Sequence, residues 1–235
     1  MGFIEKENKT YAIITADGAL RIQTNEQDPN AEKRVIEKDD GSKIVKWELV
    51  KKGYKGKIEC ISFREADFGK MMNIAFVKER ANEPQVVLSL NTDIDFAKDI
   101  MKKLPNVDLK EELSLSPFSF KNDNDKPVKG ITIWQNGEKA LNFFRKFDKD
   151  GKNGENVNGM PDPDNNGKGF DRDDWIMYFT KVKKFLIKFT EDNIIPTLET
   201  IDHKQPEAQE ELNIEKVEFQ DMDGEEMLDE INKKK

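Results

Sequence analysis

Between Lys43 and Arg145 the apolar residues recur mainly at every second position, and a helical period interrupts them once. Alternation over short runs puts successive side chains on opposite faces of a strand, so this stretch reads as half-buried strands with one helix inserted. The segment "KIVKWELVKKGYKGKIECISFREADFGKMMNIAFVKER" alternates through Val45, Trp47 and Leu49, bends at Gly53 and Gly56, resumes, and turns at Phe68-Gly69. That pattern predicts one long kinked strand and a second strand. "QVVLSLN" supplies a third. From Ile94 to Leu104 the residues Ala97, Ile100, Met101 and Leu104 share a helical face, and Pro105 ends it. "ELSLSPFSF" is a fourth strand whose Pro117 marks an edge or a bulge, and "GITIWQNGEKALNFF" is a hairpin about Asn136-Gly137. Five strands with a helix between the third and fourth is the order of an OB-fold barrel.

The flanks divide the chain further. "TYAIITADGALRIQTN" reads as a hairpin about Asp17-Gly18, so residues 1–42 are expected to form an N-terminal β extension to a barrel core spanning 43–147. Residues 148–173, rich in Gly, Asn, Asp and Pro, read as a polar linker loop. A long C-terminal helix is expected over 174–200, capped by Asp173 or Asp174 and stopped or kinked at Pro196. Its stripe of Trp175, Phe179, Val182, Leu186 and Phe189 needs a partner. Either the barrel or the same helix of a second subunit, as a homodimer, supplies it. Residues 201–235 hold 12 acidic residues against 5 lysines, which is −7 of the chain's net −8, and form an acidic flexible tail. The expected class is thus mainly β with α.

Composition argues against several kinds of chemistry. The chain is 36% hydrophobic and 37% charged, with one cysteine, Cys60, and one histidine, His203, in the tail. Neither an intramolecular disulfide nor a cysteine-rich metal site can be assembled, and no histidine is available to the core as a general base. No phosphate-binding glycine motif occurs, so the expectation is a non-catalytic protein without a cofactor. No apolar run approaches the length of a membrane span or of a signal sequence, so a soluble, cytoplasmic protein is expected. The stretch "DPDNNGKGFDRDDW" imitates a calcium loop, with Asp162, Asp164, Asn166 and Asp173 at ligand positions one, three, five and twelve. The twelfth ligand is Asp rather than Glu, Gly169 replaces the usual apolar residue, and no entering helix fits "GKNGENVNGMP". A solvated connection is the expectation.

Aromatic and basic residues sharing faces carry a stronger signal. Pairing across a two-residue turn sets Gln135 opposite Glu138, Trp134 opposite Lys139 and Ile133 opposite Ala140. Ile131, Ile133 and Ala140 then face the core, and Thr132, Trp134, Lys139, Phe143 and Arg145 face outward. Rings interleaved with cations suit single-stranded nucleic acid, because bases stack on rings while ammonium and guanidinium groups hold phosphates; the equal alternative is that the C-terminal helix or the N-terminal hairpin covers Trp134 and Phe143. Two further clusters place Tyr54 among Lys55 and Lys57, and Phe68 between Arg64 and Lys70.

The series "KGKIECISFREADFGKMMNIAF", "VVLSL", "FAKDIMKKLPNVDLKEELSLSPFSF" and "KGITIWQNGEK" resembles the OB-fold single-stranded DNA-binding proteins of tailed bacteriophages, particularly crAss-like phages, over about residues 43 to 145. The resemblance implies a protein of phage DNA replication and recombination in the host cell cytoplasm. It would coat single-stranded DNA without sequence preference and recruit replication or recombination proteins by its acidic C-terminal tail. Phe219, Asp221, Asp223, Glu225 and Glu226 are the matching tail residues, although this tail ends "INKKK" rather than in an acidic run with a terminal aromatic. The alternative is a phage structural or assembly protein that uses an OB-like barrel as a protein interaction module.

Overall fold

Turn chemistry and alternation build the first sheet. The structure, a computed structural model, describes residues 8–38, 40–80, 83–148 and 154–199. Strands β1 (Lys9–Ile14) and β2 (Leu20–Thr24) meet at a turn where Thr15 Oγ1 donates to Asp17 Oδ1 at 2.5 Å and the Ala19 amide donates to the same oxygen at 3.2 Å. Gly18 there has φ +83°, and a Cβ on it would stand 2.7 Å from the Ser119 nitrogen. Conformation and space both demand glycine.

Strands β3 (Glu32–Glu37) and β4 (Lys43–Lys51) form a second hairpin. Glu48 is buried beneath it and accepts from the Arg34 guanidinium at 2.6 and 2.7 Å, with Arg21 at 3.6 Å. That bond to Glu48 also raises the pKa of Arg34. A charge-assisted fork of this kind satisfies a carboxylate that burial would otherwise penalise.

Strand β5 (Tyr54–Gly56) continues, after a one-residue kink, into β6 (Ile58–Ala66), followed by β7 (Gly69–Phe76) and β8 (Gln85–Asn91). The first sheet has seven strands in the order β3-β4-β2-β1-β8-β7-β6. All its pairs are antiparallel except β1 with β8.

Helix α1 (Asp95–Lys103) buries Phe96, Ala97, Ile100 and Met101, and a 3-10 turn over Leu104–Asn106, with Pro105 inside it, closes the helix. Strands β9 (Leu113–Lys121), β10 (Pro127–Gln135) and β11 (Glu138–Lys139) follow and make a second sheet in the order β11-β10-β9-β5. Pro117 lies beyond the reach of β5, which pairs only with Leu113 to Leu115, so its missing N–H falls where no strand pairs with β9 on that side. A ribbon of β12 (Arg145–Phe147) and β13 (Gly154–Asn156) precedes α2 (Arg172–Phe189), a π-helical turn over Thr190–Ile194, and α3 (Ile195–Glu199). The buried core is shared by Ile74 and Leu88 of the first sheet, Leu115, Ile131 and Ile133 of the second, Ile100 of α1 and Leu186 of α2.

The architecture is mainly β with a long C-terminal helix, and the seven-stranded sheet does not close into a barrel. The free side of β8 is taken by β1 in parallel, from Lys9↔Gln85 to Ala12↔Leu88. The free side of β10 at Ile131 is taken by α1: Asp99 Oδ2 accepts from the Ile131 amide at 2.7 Å, and Lys103 Nζ bonds both the Ile131 carbonyl and Asp99. Side chains thus occupy the groups that a further strand would have paired, which protects an exposed edge.

Other expectations shift in detail. Residues 1–42, expected as an extension, supply three strands of the large sheet, with Ala12 and Leu20 in the core. Strand β4 pairs with β2 and β3 and is separate from the kinked strand. The stretch expected as linker contains β13 and a 3-10 turn over Asp164–Gly167. Helix α2 starts earlier than expected, capped by Asp171, whose side chain accepts from the Asp173 and Asp174 amides while Asp174 returns a bond to the Asp171 amide. The interruption expected at Pro196 is the π turn ahead of it, since proline has no N–H for the regular ladder. The tail expected over 201–235 lies outside the described residues.

Candidate nucleic-acid interface

The Asn136-Gly137 turn fixes the register of the best candidate face. Both residues have positive φ, 52° and 81°, as a two-residue hairpin turn requires. Trp134 pairs with Lys139 and Gln135 with Glu138, as the sequence predicts, and the Ala140 amide donates to Ile133 O at 2.9 Å. Ile131, Ile133 and Ala140 are buried, whereas Trp134 is 37% exposed and Lys139 is exposed. Register carries this row across the sheet: Trp134 also faces Ser114, and Ser114 faces Lys55. The outer face therefore shows Lys139, Trp134, Ser114 and Lys55 in line, with Thr132 beside Ser116 in the next row of that face. Two ammonium groups flank one ring across hydroxyl-bearing neighbours. Lys55 is anchored by Glu112 at 3.1 Å, in a pair exposed enough to open for a phosphate.

The remaining predicted residues are dispersed. Phe143 leaves the hairpin face because β11 ends at Lys139, and its amide bonds Lys102 O. Its ring packs edge-on to Phe144 at 5.1 Å and lies 6.0 Å from Phe189, as part of the aromatic seam under α2. Arg145 is exposed on β12, over the Phe147 ring at 5.4 Å. Tyr54 is half-buried with its ring 4.5 Å from Phe76, and burial pushes its phenol above the ordinary pKa. Lys57 is half-buried, and its carbonyl accepts from the Val77 amide. Arg64, Phe68 and Lys70 belong to the β6–β7 hairpin of the other sheet: Phe68 is 67% exposed, and Lys70 pairs with Glu191 at 3.1 Å beside the Phe63 ring. Only Lys55, Trp134 and Lys139 of the predicted set share a row. Phe219, Asp221, Asp223, Glu225 and Glu226 lie outside the described residues.

A second feature has no counterpart among the predicted site residues apart from Arg145. A cleft of about 450 Å³ lies among α1, the β12–β13 ribbon and the first turns of α2, with Lys98, Lys102, Lys129 and Arg145 on its walls together with Phe118, Tyr178 and Phe179. A neighbouring cleft of about 660 Å³ shares Arg145, Asn156, Tyr178 and Phe179 and adds Trp175. Tyr178 Oη and Asn156 Nδ2 both bond Pro161 O, which ties the loop after β13 to α2. Helical spacing places Trp175 and Phe179 on the stripe that needs a partner. Val182 and Leu186 are buried, but Trp175 and Phe179 remain 37% and 54% exposed. The available signal was the density of aromatic residues in "WIMYF", more than a two-sided helix needs.

Among the described residues no group of three or more His, Cys, Asp or Glu side chains is placed to hold a metal ion. Asp171 and Asp174 are occupied in the helix cap. No described helix is long and apolar enough to cross a membrane. No family model, curated protein or solved structure matches the chain.

Proposed function

We propose that this protein is a non-catalytic, OB-like single-stranded DNA-binding protein that coats DNA without sequence preference in phage replication and recombination. The observation that carries this reading is the row Lys139, Trp134, Ser114 and Lys55 on the outer face of the four-stranded sheet. A half-exposed indole offers a stacking surface that every base can use, and the flanking ammonium groups reach the phosphates on either side. Strand order supports the OB-like assignment: β6-β7-β8 and β5-β9-β10 share one kinked strand, with α1 between the third and fourth barrel positions. The acidic segment 201–235 is proposed to recruit replication or recombination proteins.

The exposed Ile176 and Met177 on α2 favour a second reading, an assembly protein whose OB-like body is a protein interaction module. A gel shift separates the two. Labelled oligo(dT) at low salt should be retarded by the protein more strongly than a duplex of equal length. A chain that retards neither is the interaction module.

A further inference from the structure

The outer face of the second sheet does not stop at Trp134. Along β9 and β10 the same side of the sheet carries Ser114, Ser116, Phe118 and Phe120, opposite Trp134, Thr132, Gly130 and Val128. Phe118 is four residues from Ser114, which places it ~13 Å down the strand from the tryptophan row. Its ring lies over Gly130, where an added Cβ would stand 2.7 Å from Phe118 Cζ, so the absence of a side chain there lets the ring settle. Phe118 then forms part of the wall of the 450 Å³ cleft. The stacking face and the cleft are contiguous.

The charges in that cleft are unequally satisfied. Lys98 pairs with Asp95 at 2.9 Å and Lys103 with Asp99 at 2.7 Å. Among the described residues Lys102, Lys129 and Arg145 make no ion pair of their own, and Asp95 and Asp99, the two carboxylates on the walls, are engaged by Lys98 and Lys103, which leaves three surplus cations around one opening. Lys102 is half-buried, and burial lowers its pKa below the ordinary lysine value. Asp99 and Asp95 offset only part of that burial, so a further anion at the opening would favour the ammonium. On the far wall Phe179, shared with the neighbouring cleft, is stacked on that cleft's Trp175, centroids 5.7 Å apart with planes 26° from parallel, and both are exposed. Glu155 and Asp162 are the carboxylates of the wider cleft beyond Arg145, so that side disfavours phosphate and suits a base.

We infer that this cleft is a second nucleotide subsite: a single strand crossing the sheet from Trp134 passes over Phe118 and enters it, with phosphates on Lys102, Lys129 and Arg145 and a base against Tyr178, Phe179 and Trp175. The inference rests on the single-strand reading and adds a defined path and polarity of contacts to it. The volume suits the occupant, since about 300 to 1,000 Å³ is the usual range for a small-molecule site.

Trp175 is one of three tryptophans, so the Trp47→Phe, Trp134→Phe protein reports on the cleft alone. Titration with oligo(dT) of about 16 nucleotides, the upper site size of one OB fold, should quench Trp175 emission saturably. In that background Lys102→Ala with Arg145→Ala should abolish the quench and weaken affinity about tenfold or more. Phe179→Ala, at an exposed position, should weaken it severalfold without lowering the melting temperature. Binding seen by anisotropy with Trp175 emission unchanged overturns the subsite and leaves the sheet reading standing. Affinity undiminished by both the double substitution and Phe179→Ala does the same. Quenching that persists while Trp134→Ala, in the otherwise native chain, leaves affinity unchanged removes the sheet reading and keeps the cleft. No binding of oligo(dT) by the native chain overturns both.

Discussion

At the scale of single residues, Trp134 is the side chain on which the binding reading turns. Its indole is partly exposed and is flanked in register by Lys139. Trp134→Ala should weaken oligo(dT) binding by ~1 to 3 kcal/mol, the worth of one stacked base, with little loss of stability. Anisotropy titrations beside thermal melts check it, and equal affinity for the two proteins would assign Trp134 no role. Asp17 supplies a pH dependence. The Thr15 hydroxyl, more than any other group, holds its carboxyl below the ordinary value, so its contribution to stability is present above about pH 4 and is lost as pH falls through the lowered folded value. In Asp17→Asn the acid limb of the stability curve should be flatter; an unchanged limb would assign the bond no weight in folding. The Trp134 register was legible because Asn136-Gly137 tolerates little besides a two-residue turn. Phe143 was not, because nothing local shows that β11 ends after two residues and that the next ring turns under α2.

At the scale of elements, the edge of β10 shows how α1 and the second sheet depend on each other. Asp99 accepts from the Ile131 amide and holds Lys103, which is buried and also donates to the Ile131 carbonyl. Asp99→Ala should orphan the amide, leave the ammonium with only the Ile131 carbonyl and cost about 3 kcal/mol, the scale of breaking a buried ion pair. Denaturant melts read that loss, and a change below about 0.5 kcal/mol, within the usual range for a surface substitution, would show that water replaces the carboxylate freely. Most strands were legible through their alternation, and α1 through its apolar face, whereas β3, whose only apolar residues are Val35 and Ile36, read as part of a polar extension. Pairing partners were not. Nothing in "TYAII" announces that it will lie parallel to "VVLS", because both present the same β-branched, half-buried surface to any neighbour. The stripe on α2 was legible as a helix, while the exposure of its first two turns depends on how far the β12–β13 ribbon reaches over it.

At the scale of the whole molecule, one kinked strand serves two sheets, and the hairpin at Gly18 abuts β9 where the outer face turns toward the cleft. Order along the chain suggested closure; the edges of β8 and β10 are filled by β1 and by α1 instead, which no local pattern encodes. Net charge is concentrated in residues 201–235, and tethered carboxylates compete with phosphates for nearby cations. Deleting residues 206–235 should therefore tighten binding to oligo(dT) severalfold at low salt, with the gain shrinking as salt rises. Equal affinities at low salt would remove the competition.

The central claim is that phosphates meet a limited, identifiable set of cations beside stacking rings. Oligo(dT) affinity measured by anisotropy across a salt series tests it most directly. With Lys55, Lys139, Lys102, Lys129 and Arg145 each on a phosphate, log K against log salt should fall with a slope of about −3.5 for a single strand. Absence of saturable binding at low salt, or a slope near zero, would contradict it.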